Sequence, residues 1–168
     1  MKKLILLVLL FCPILIISQE VMTVDTTATR TINGTIDQML KIVNGEPNKL
    51  RNWAAFRKLF LPSVRFTVVH DGSEKSFESA NLEEMIEFMK DDYYDNGYKE
   101  ISVHRKVDQY NGISQVWEVV KHIEPDGTEI MGLNSYQLIY SDQRWWISNL
   151  IWTTEVDGKP IPKKYLKN

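Results

Sequence analysis

The sequence of 168 residues has little of the chemistry that stabilises or activates many small domains. It holds one cysteine, so the chain cannot form an internal disulfide and its stability must come from a packed core. Its formal net charge is only −2, from 20 basic and 22 acidic residues, which gives no electrostatic basis for binding nucleic acid or a membrane surface. The three histidines are scattered without the spacing of metal ligands, so no metal and no cofactor is predicted.

Long apolar runs are also missing, except for one at the amino terminus. Two lysines precede the apolar residues 4–17, and Ser18 supplies a small residue at a cleavage site, which is the arrangement of a secretory signal peptide. Pro13 interrupts this run, and the run is short for a membrane span, so an uncleaved membrane anchor is the less favoured alternative. We therefore predict a signal peptide over residues 1–18, a secreted or periplasmic protein, and no stable membrane insertion after cleavage.

The rest of the chain divides into three parts by composition. Residues 19–31 are rich in threonine and lack periodicity, which indicates an extended leader. Residues 32–156 carry the periodic segments and form the predicted domain. Residues 157–168 contain two prolines and four lysines, and we expect this tail to pack along a sheet edge or to cross to a partner subunit.

The most informative segment is a short amphipathic helix followed at once by a strand. Three aromatic residues share one helix face at i, i+3 and i+7, namely Trp53, Phe56 and Phe60. Pro62 ends this helix because proline cannot continue it. The residues from 64 to 68 then alternate between apolar and polar, which is the period of a half-buried strand. A helix of this kind can close the mouth of a curved sheet.

Two further helices flank this unit. The first has Thr35 as its predicted N-cap and an apolar stripe formed by Ile36, Met39, Leu40 and Val43. The other begins with a predicted capping box of Asn81 and Glu84, and its apolar stripe is formed by Leu82, Met85, Ile86 and Met89. We therefore expect three helices before the main sheet.

Four strand-like segments follow between residues 99 and 154. They are separated by Asn111-Gly112, by Asp126-Gly127 and by residues 141–144, and the first two pairs are strong hairpin signals. Helices followed by a long antiparallel meander predict an α+β domain with the helices on one face of the sheet. Alternating βα units are absent, which argues against a doubly wound fold.

Taken together, these segments resemble the nuclear transport factor 2-like (SnoaL-like) superfamily over roughly residues 32–155. The most specific pieces of the resemblance are Trp53, Leu59, Phe60, Pro62 and Phe66, with Trp145 and Ile147 at the start of the last strand. The resemblance implies a cystatin-like α+β cone, in which about three N-terminal helices pack on a strongly bent antiparallel sheet around a cavity. Members include ketosteroid isomerases, polyketide cyclases and dehydratases, together with secreted proteins of no known reaction, so function stays open.

The register of the sheet can be worked out if every hairpin turns on a two-residue loop. Arg105 then faces Glu118 across the first hairpin. Glu118 faces Ser135 across the second, and Gln137 lies beside Ser148 across the third. We expect this face to be concave and mainly apolar with a few polar groups, the usual form of a small-molecule site. The predicted ligand-binding residues are Trp53, Phe56, Phe60, Tyr94, Arg105, Glu118, Ser135, Gln137, Ser148 and Trp152.

The opposite sheet face carries an aromatic cluster in the same register. Its members are Trp117, Tyr136, Tyr140, Trp145 and Ile147. A cluster of this size indicates a buried interface, so we predict a homodimer through the outer sheet face, as the resemblance also implies. These assignments need regular hairpins, because one β-bulge moves every later residue of a strand to the other face.

Two residues are weak candidates for catalysis. Glu118 could hold or deprotonate a ligand, but pairing with Arg105 lowers the pKa of a carboxyl, which suits a structural ion pair better than a general base. His70 precedes Asp71, a pair similar to the His–Asp dyads of the dehydratases, although adjacent strand residues point to opposite faces.

The leading interpretation is a secreted, non-catalytic domain that binds a small apolar or amphipathic molecule in its cavity. An isomerase, dehydratase or cyclase acting on a small hydrophobic substrate is the first alternative, and an open pocket with an unpaired acid or histidine would favour it. A protein-interaction module is the second alternative, and a cavity filled by aromatic side chains would favour this alternative.

Overall fold

The structure, a computed structural model, describes residues 26–45, 49–72, 75–156 and 158–167. The predicted signal peptide and most of the predicted leader lie outside the described residues. The helices are α1 (Ile32–Val43), α2 (Trp53–Arg57), α3 (Leu82–Phe88) and α4 (Asp92–Asp95). The strands are β1 (Phe60–Asp71), β2 (Lys75–Ala80), β3 (Lys99–Tyr110), β4 (Ile113–Ile123), β5 (Glu129–Ser141) and β6 (Arg144–Thr154). Of these helices, none is long and apolar enough to cross a membrane.

The six strands form one sheet in the order β2-β1-β6-β5-β4-β3. All neighbours are antiparallel except β1 and β6, which are parallel. The parallel pair arises because β1 and β2 precede α3, α4 and the meander, and the last strand of the meander returns beside β1. The predicted α+β arrangement is confirmed. The β1–β2 hairpin is an addition to the predicted strands.

Helix α1 begins one turn earlier than predicted. Its N-cap is Thr31, whose side-chain oxygen accepts a hydrogen bond from the backbone N–H of Gly34 at 3.0 Å. Thr35, the predicted N-cap, is buried within the helix and donates to the carbonyl of Thr31 at 3.0 Å. The apolar stripe is confirmed, because all four of its residues belong to the core.

The aromatic unit packs as expected, but its helix is shorter. Helix α2 ends at Arg57, and Phe60 is already the first residue of β1. Pro62 therefore lies inside β1, where the register with β6 shifts between Phe60 and Arg65 and a missing N–H is tolerated. The ring centroids of Phe56 and Phe60 lie 4.6 Å apart, so the two rings close this end of the core together.

Helix α3 has the predicted capping box. The Asn81 side chain accepts a hydrogen bond from the backbone N–H of Glu84 at 3.0 Å. The Glu84 carboxylate accepts in return from the backbone N–H of Asn81 at 2.7 Å. This box orients α3 so that its predicted stripe is buried against the sheet.

The register of β3 with β4 is as predicted only near the hairpin tip. Arg105 pairs with Glu118, but the register shifts between Ser102 and His104, which makes Val103 the extra residue of a bulge. Ser102 consequently pairs with Val120, and Glu100 pairs with His122. The bulge brings residues onto the helix side that regular pairing places outside.

The register of β4 with β5 differs by one residue over its whole length. The turn has three residues, Pro125 to Gly127, and not two: the N–H of Glu124 bonds the carbonyl of Thr128 at 2.8 Å, and Gly127 has a φ of 84°. Glu118 is therefore paired with Asn134 and not with Ser135. The residues of β5 that face the helices are the buried Gly132, Asn134, Tyr136 and Leu138.

The last hairpin turns on two residues as predicted, and Ser141 pairs with Arg144. A bulge at Ser148 then shifts the register, so that Leu138 pairs with Ile147 but Gln137 with Asn149. Trp145 and Ile147 precede this bulge and pair with Tyr140 and Leu138, so the three-residue turn before β5 places them on the core side, as it does Tyr136. The predicted outer aromatic cluster is wrong. Among its members, only Trp117 faces outward.

The carboxyl-terminal tail covers part of the outer sheet face. Its short 3-10 helix, Lys163–Tyr165, packs against β3 and β4. The ring of Tyr165 lies 5.0 Å from the ring of Trp117, and Ile161 is buried. The tail thus shields the one aromatic residue of the predicted cluster that does face outward.

Candidate functional site

A cavity of about 70 Å³ lies between the helices and the concave face of the sheet. Its wall includes three methionines and the rings of Phe56, Phe66, Tyr94, Tyr98 and Trp152. Three polar side chains also line it, and all three come from the sheet: Glu100, His122 and Asn134. The cavity is thus an aromatic and aliphatic enclosure with a small polar region on one wall.

Glu100 is the acidic group of this cavity. Its side chain is about nine-tenths buried, and the one hydrogen bond to its carboxylate among the described residues comes from the Asn134 amide, at 2.7 Å. Burial raises the pKa of Glu100 to about 7, the Asn134 hydrogen bond opposes the rise, and the negative charge of Glu118 adds to it. A large fraction of the Glu100 carboxyl groups is therefore protonated near neutral pH.

Asn44, at the end of α1, holds Glu100 in place. Its amide nitrogen donates to the backbone carbonyl of Glu100 at 2.7 Å, and its amide oxygen accepts from the backbone N–H of Glu100 at 2.6 Å. Strand β3 is the edge of the sheet, so these backbone groups have no neighbouring strand on that side. The side chain of Asn44 thus replaces a strand at this position.

Glu118 lies behind the cavity wall and is fully paired. One carboxylate oxygen accepts from Arg105 Nε at 2.9 Å and from Ser102 Oγ at 2.7 Å, and the other accepts from Tyr136 Oη at 2.9 Å. Arg105 in turn bonds Asp37 of α1 at 2.9 Å. Donors occupy both oxygens of this carboxylate and leave none for a ligand, so Glu118 is structural.

Asn134 connects the two acids. Its amide nitrogen lies 2.7 Å from Glu100 Oε1 and 3.0 Å from Tyr136 Oη. Because Tyr136 donates its own proton to Glu118, its oxygen accepts from Asn134. One chain of hydrogen bonds therefore runs from the cavity to the Arg105 ion pair.

His122 is a neutral imidazole in the cavity wall. Burial lowers its pKa, and its Nδ1 lies 2.6 Å from the hydroxyl of Tyr98. Its Nε2 is buried and has no hydrogen-bond partner in the described part of the chain. This nitrogen adds to the unsatisfied polar groups at the site.

A larger open groove of about 570 Å³ adjoins the cavity. We call it the vestibule. Four residues line both spaces, namely Tyr94, Tyr98, His122 and Trp152. Arg51 fixes α4 beside them, because its guanidinium donates to the carbonyl of Tyr94 at 2.6 Å and is ion-paired with Asp95. A ligand that reaches the cavity from the vestibule must pass between these four side chains.

The ten predicted ligand-binding residues fall into three groups. Phe56, Tyr94 and Trp152 line the cavity. Trp53, Phe60, Arg105 and Glu118 lie behind its wall, packed against the core or bonded to one another. Ser135 and Gln137 face outward because the three-residue turn displaces β5, and Ser148 is the bulged residue, whose hydroxyl donates to the carbonyl of Gln137. His70 is on the exposed part of β1, at the vestibule rim.

Sequence reasoning missed Glu100, Asn134 and Tyr98. Glu100 precedes the bulge at Val103, so its position in the two-residue alternation indicated the solvent face. For Asn134 a signal does exist. Pro125 has the φ that the first central position of a type I turn requires, and Gly127 suits the left-handed residue that follows in a three-residue hairpin loop. That turn places Asn134 on the inner face.

The fold, with helices covering the concave face of a sheet around a cavity, defines a cone-shaped α+β protein. No family model matches the sequence, and no curated protein matches it either. Solved structures do match, among them an NTF2-like protein with a cystatin-like fold from Novosphingobium aromaticivorans. That structure is 10% identical, with a TM-score of 0.58 over 80% of this chain and 85% of that one.

Two further solved structures support the same fold. The S. rosetta CaMKII hub is 15% identical, with a TM-score of 0.56 over 78% of this chain and 97% of that chain. An NTF2-like protein of unknown function from Silicibacter pomeroyi is 8% identical, with a TM-score of 0.51 over 73% of this chain and 92% of that chain. The chain therefore has the NTF2-like, cystatin-like fold that its sequence resembles, and similarity at this level of identity concerns the fold alone.

Proposed function

We propose that this protein binds a small, mainly apolar molecule in the cavity between the helices and the sheet. The observation that carries this proposal is the Glu100 carboxyl, which is buried at an aromatic cavity wall with a single hydrogen bond. A buried polar group that lacks partners costs about 1–3 kcal/mol, so a ligand that bonds this carboxyl recovers part of that cost. The methionines in the wall can adjust to the shape of the ligand.

Native mass spectrometry of protein purified from its own host, without refolding, tests this proposal. We expect extra mass that disappears on denaturation. Met89→Trp, which fills the cavity from the residue after α3, should abolish this extra mass, whereas Met131→Trp, on the outer face of β5, should retain it. The proposal would be overturned if the wild-type protein carries no extra mass and also binds no member of a fragment library at millimolar concentration.

A second candidate function, an acid–base enzyme, is favoured by one observation. The pKa of Glu100, about 7, suits proton transfer at neutral pH by a carboxyl group that lines the cavity. The reaction class would be proton abstraction beside a carbonyl. Deuterium exchange into small cyclic ketones, followed by NMR, should then be faster with the wild type than with Glu100→Gln by about 10²–10⁴-fold. Equal exchange rates for the wild type and Glu100→Gln would refute the enzymatic function and leave ligand binding as the proposed function.

The division of the chain is also part of the proposal. Residues 1–18 would direct export and be removed, and residues 32–156 would form the exported domain. The intact mass of the protein recovered from a bacterial periplasm should lack residues 1–18. Recovery of the full-length mass in the membrane fraction would favour an uncleaved anchor.

A homodimer through the outer sheet face completes the proposal, although the aromatic cluster no longer supports it. The tail covers β3 and β4, so a partner would contact β5 and β6, where Ile151 is partly exposed. Sedimentation should show a dimer that Ile151→Glu dissociates. Leu50→Glu, at an exposed site before α2, is the matched control and should leave the dimer intact. A wild-type monomer at micromolar concentration would refute the dimer.

A further inference from the structure

We infer that the ligand of the cavity is a small organic cation, a protonated or quaternary amine, held between the Glu100 carboxylate and the aromatic side chains around it. This inference rests on the proposed binding function and adds the charge of the ligand. Three independent features of the described residues support it: the aromatic wall, the missing counter-charge of Glu100, and the acidity of the vestibule.

The wall of the cavity is rich in aromatic rings. Five aromatic rings and one imidazole line a cavity of about 70 Å³, so a ligand in it lies close to several rings at once. The rings of Tyr94 and Tyr98 are 5.1 Å apart and inclined at 71°, and Trp152 lines the same cavity. Aromatic faces attract ammonium groups, most strongly where water is excluded.

Glu100 lacks a positive partner in the described part of the chain. Arg105 is bound to Glu118 and Asp37, and Arg51 is bound to Asp95 and two backbone carbonyls. The groups that surround Glu100 are acidic or neutral: Glu118 and His122 from β4, Asn134 and Tyr136 from β5, and Tyr94 and Tyr98 before β3. A cationic ligand would supply the counter-charge that the chain itself does not.

The vestibule has the charge that would attract such a ligand. Glu78, Asp91 and Glu124 line it, and no lysine or arginine belongs to its lining among the residues that the structure describes. Its two histidines do not reverse this sign, since His122 is held neutral and His70 lies 3.7 Å from Glu78. A cleft lined by one sign of charge raises the local concentration of the opposite sign and its association rate.

A neutral ligand with a carbonyl is the competing possibility, because a protonated Glu100 could donate a hydrogen bond to it. Binding of the two ligand classes changes the protonation of Glu100 in opposite directions. A cation stabilises the carboxylate and releases a proton from Glu100, whereas a hydrogen-bond acceptor stabilises the protonated acid and takes a proton up. Proton release on binding is therefore the signature of the inferred class.

The experiment compares choline with 3,3-dimethyl-1-butanol, its neutral isostere, together with tetramethylammonium, by titration calorimetry on the whole protein. We expect choline to bind at least tenfold more tightly than the isostere at pH 8. At pH 6.5, titrations in buffers of different ionisation enthalpy should show proton release. Glu100→Gln should remove the preference for choline and keep the binding of the isostere, whereas Glu87→Gln, exposed on α3, should change neither.

The outcomes separate this inference from the proposed function. Equal or tighter binding of the isostere, or proton uptake, would overturn the inference and leave small-molecule binding in place. Failure of both cations at 10 mM would overturn the inference, and the native mass spectrum would then decide the proposed function by itself. Retention of the preference for choline in Glu100→Gln would refute the role of this carboxylate.

Discussion

Gly132 on β5 lies directly against the imidazole of His122. A β-carbon at position 132 would be 2.3 Å from His122 Nε2 and 2.9 Å from Cδ2, far inside van der Waals contact. The absence of a side chain at Gly132 therefore gives the ring the room in which its Nδ1 reaches the hydroxyl of Tyr98. The hydrogen bond between His122 and Tyr98, at the mouth of the cavity, therefore depends on Gly132, which lies two strands away from Tyr98.

Gly132→Ala should accordingly displace the His122 ring and destabilise the fold by about 1–3 kcal/mol, the usual cost of overpacking. Urea denaturation measures this loss. Gly72→Ala is the matched control, because a β-carbon there meets no atom within 4 Å, and it should change stability little. Equal stability of the two variants would show that the ring moves aside without loss.

Glu100 should make the stability of the protein depend on pH. Its pKa is about 7 in the folded protein against 4.5 for a free glutamate, so the folded state binds the proton more tightly. The stability that this protonation contributes is complete below about pH 4.5 and is lost as the pH rises through about 7. The total loss should reach about 3 kcal/mol.

Glu100→Gln isolates this effect because glutamine resembles the protonated acid and does not titrate. The difference in unfolding free energy between variant and wild type should grow between pH 5 and pH 8, in favour of the variant. Glu118, which is the other buried acid of this region, is unchanged in both proteins and cancels in the comparison. A constant difference across this range would mean that Glu100 is ionised at pH 5 in the folded state.

Two arginine–glutamate pairs in this protein offer a comparison of buried and exposed ion pairs. Glu118 is completely buried beside Arg105, whereas Arg57 and Glu83 are largely exposed. Arg105→Met should destabilise the fold by about 3–5 kcal/mol, because it leaves a buried carboxylate without its cation. Arg57→Met should have a much smaller effect that salt reduces further. Similar losses in thermal or urea denaturation would contradict a buried, unsolvated Glu118.

The Asn44 side chain should protect the edge of the sheet. Asn44→Ala removes both hydrogen bonds to the backbone of Glu100, which predicts a loss of about 1–3 kcal/mol and faster hydrogen exchange at the Glu100 amide. Asn149→Ala, on the outer face of β6, removes an amide of the same size that has no hydrogen bond among the described residues. Unchanged exchange at Glu100 in Asn44→Ala would show that water replaces the lost bonds.

The errors in the sequence interpretation have one common cause. The turn at Pro125, the bulge at Val103 and the bulge at Ser148 each add one residue to a strand pairing. Because side chains alternate faces with a period of two, each addition exchanges the inner and outer residues beyond it. Tyr136 was thereby assigned to the surface, although it is the largest of the fully buried side chains.

The sequence by itself determined the local elements, because their signals lie within a few neighbouring residues. The capping box at Asn81, the helix stripes, the hairpin tips and the order of helices before strands depend on backbone geometry and hydrophobic period, and they sufficed for the fold. The tertiary structure decided which strand face is concave and what lies on it. Pairing a bulged strand depends on the fit of the whole core, and the raised pKa of Glu100 depends on burial that exists only once the helices cover the sheet.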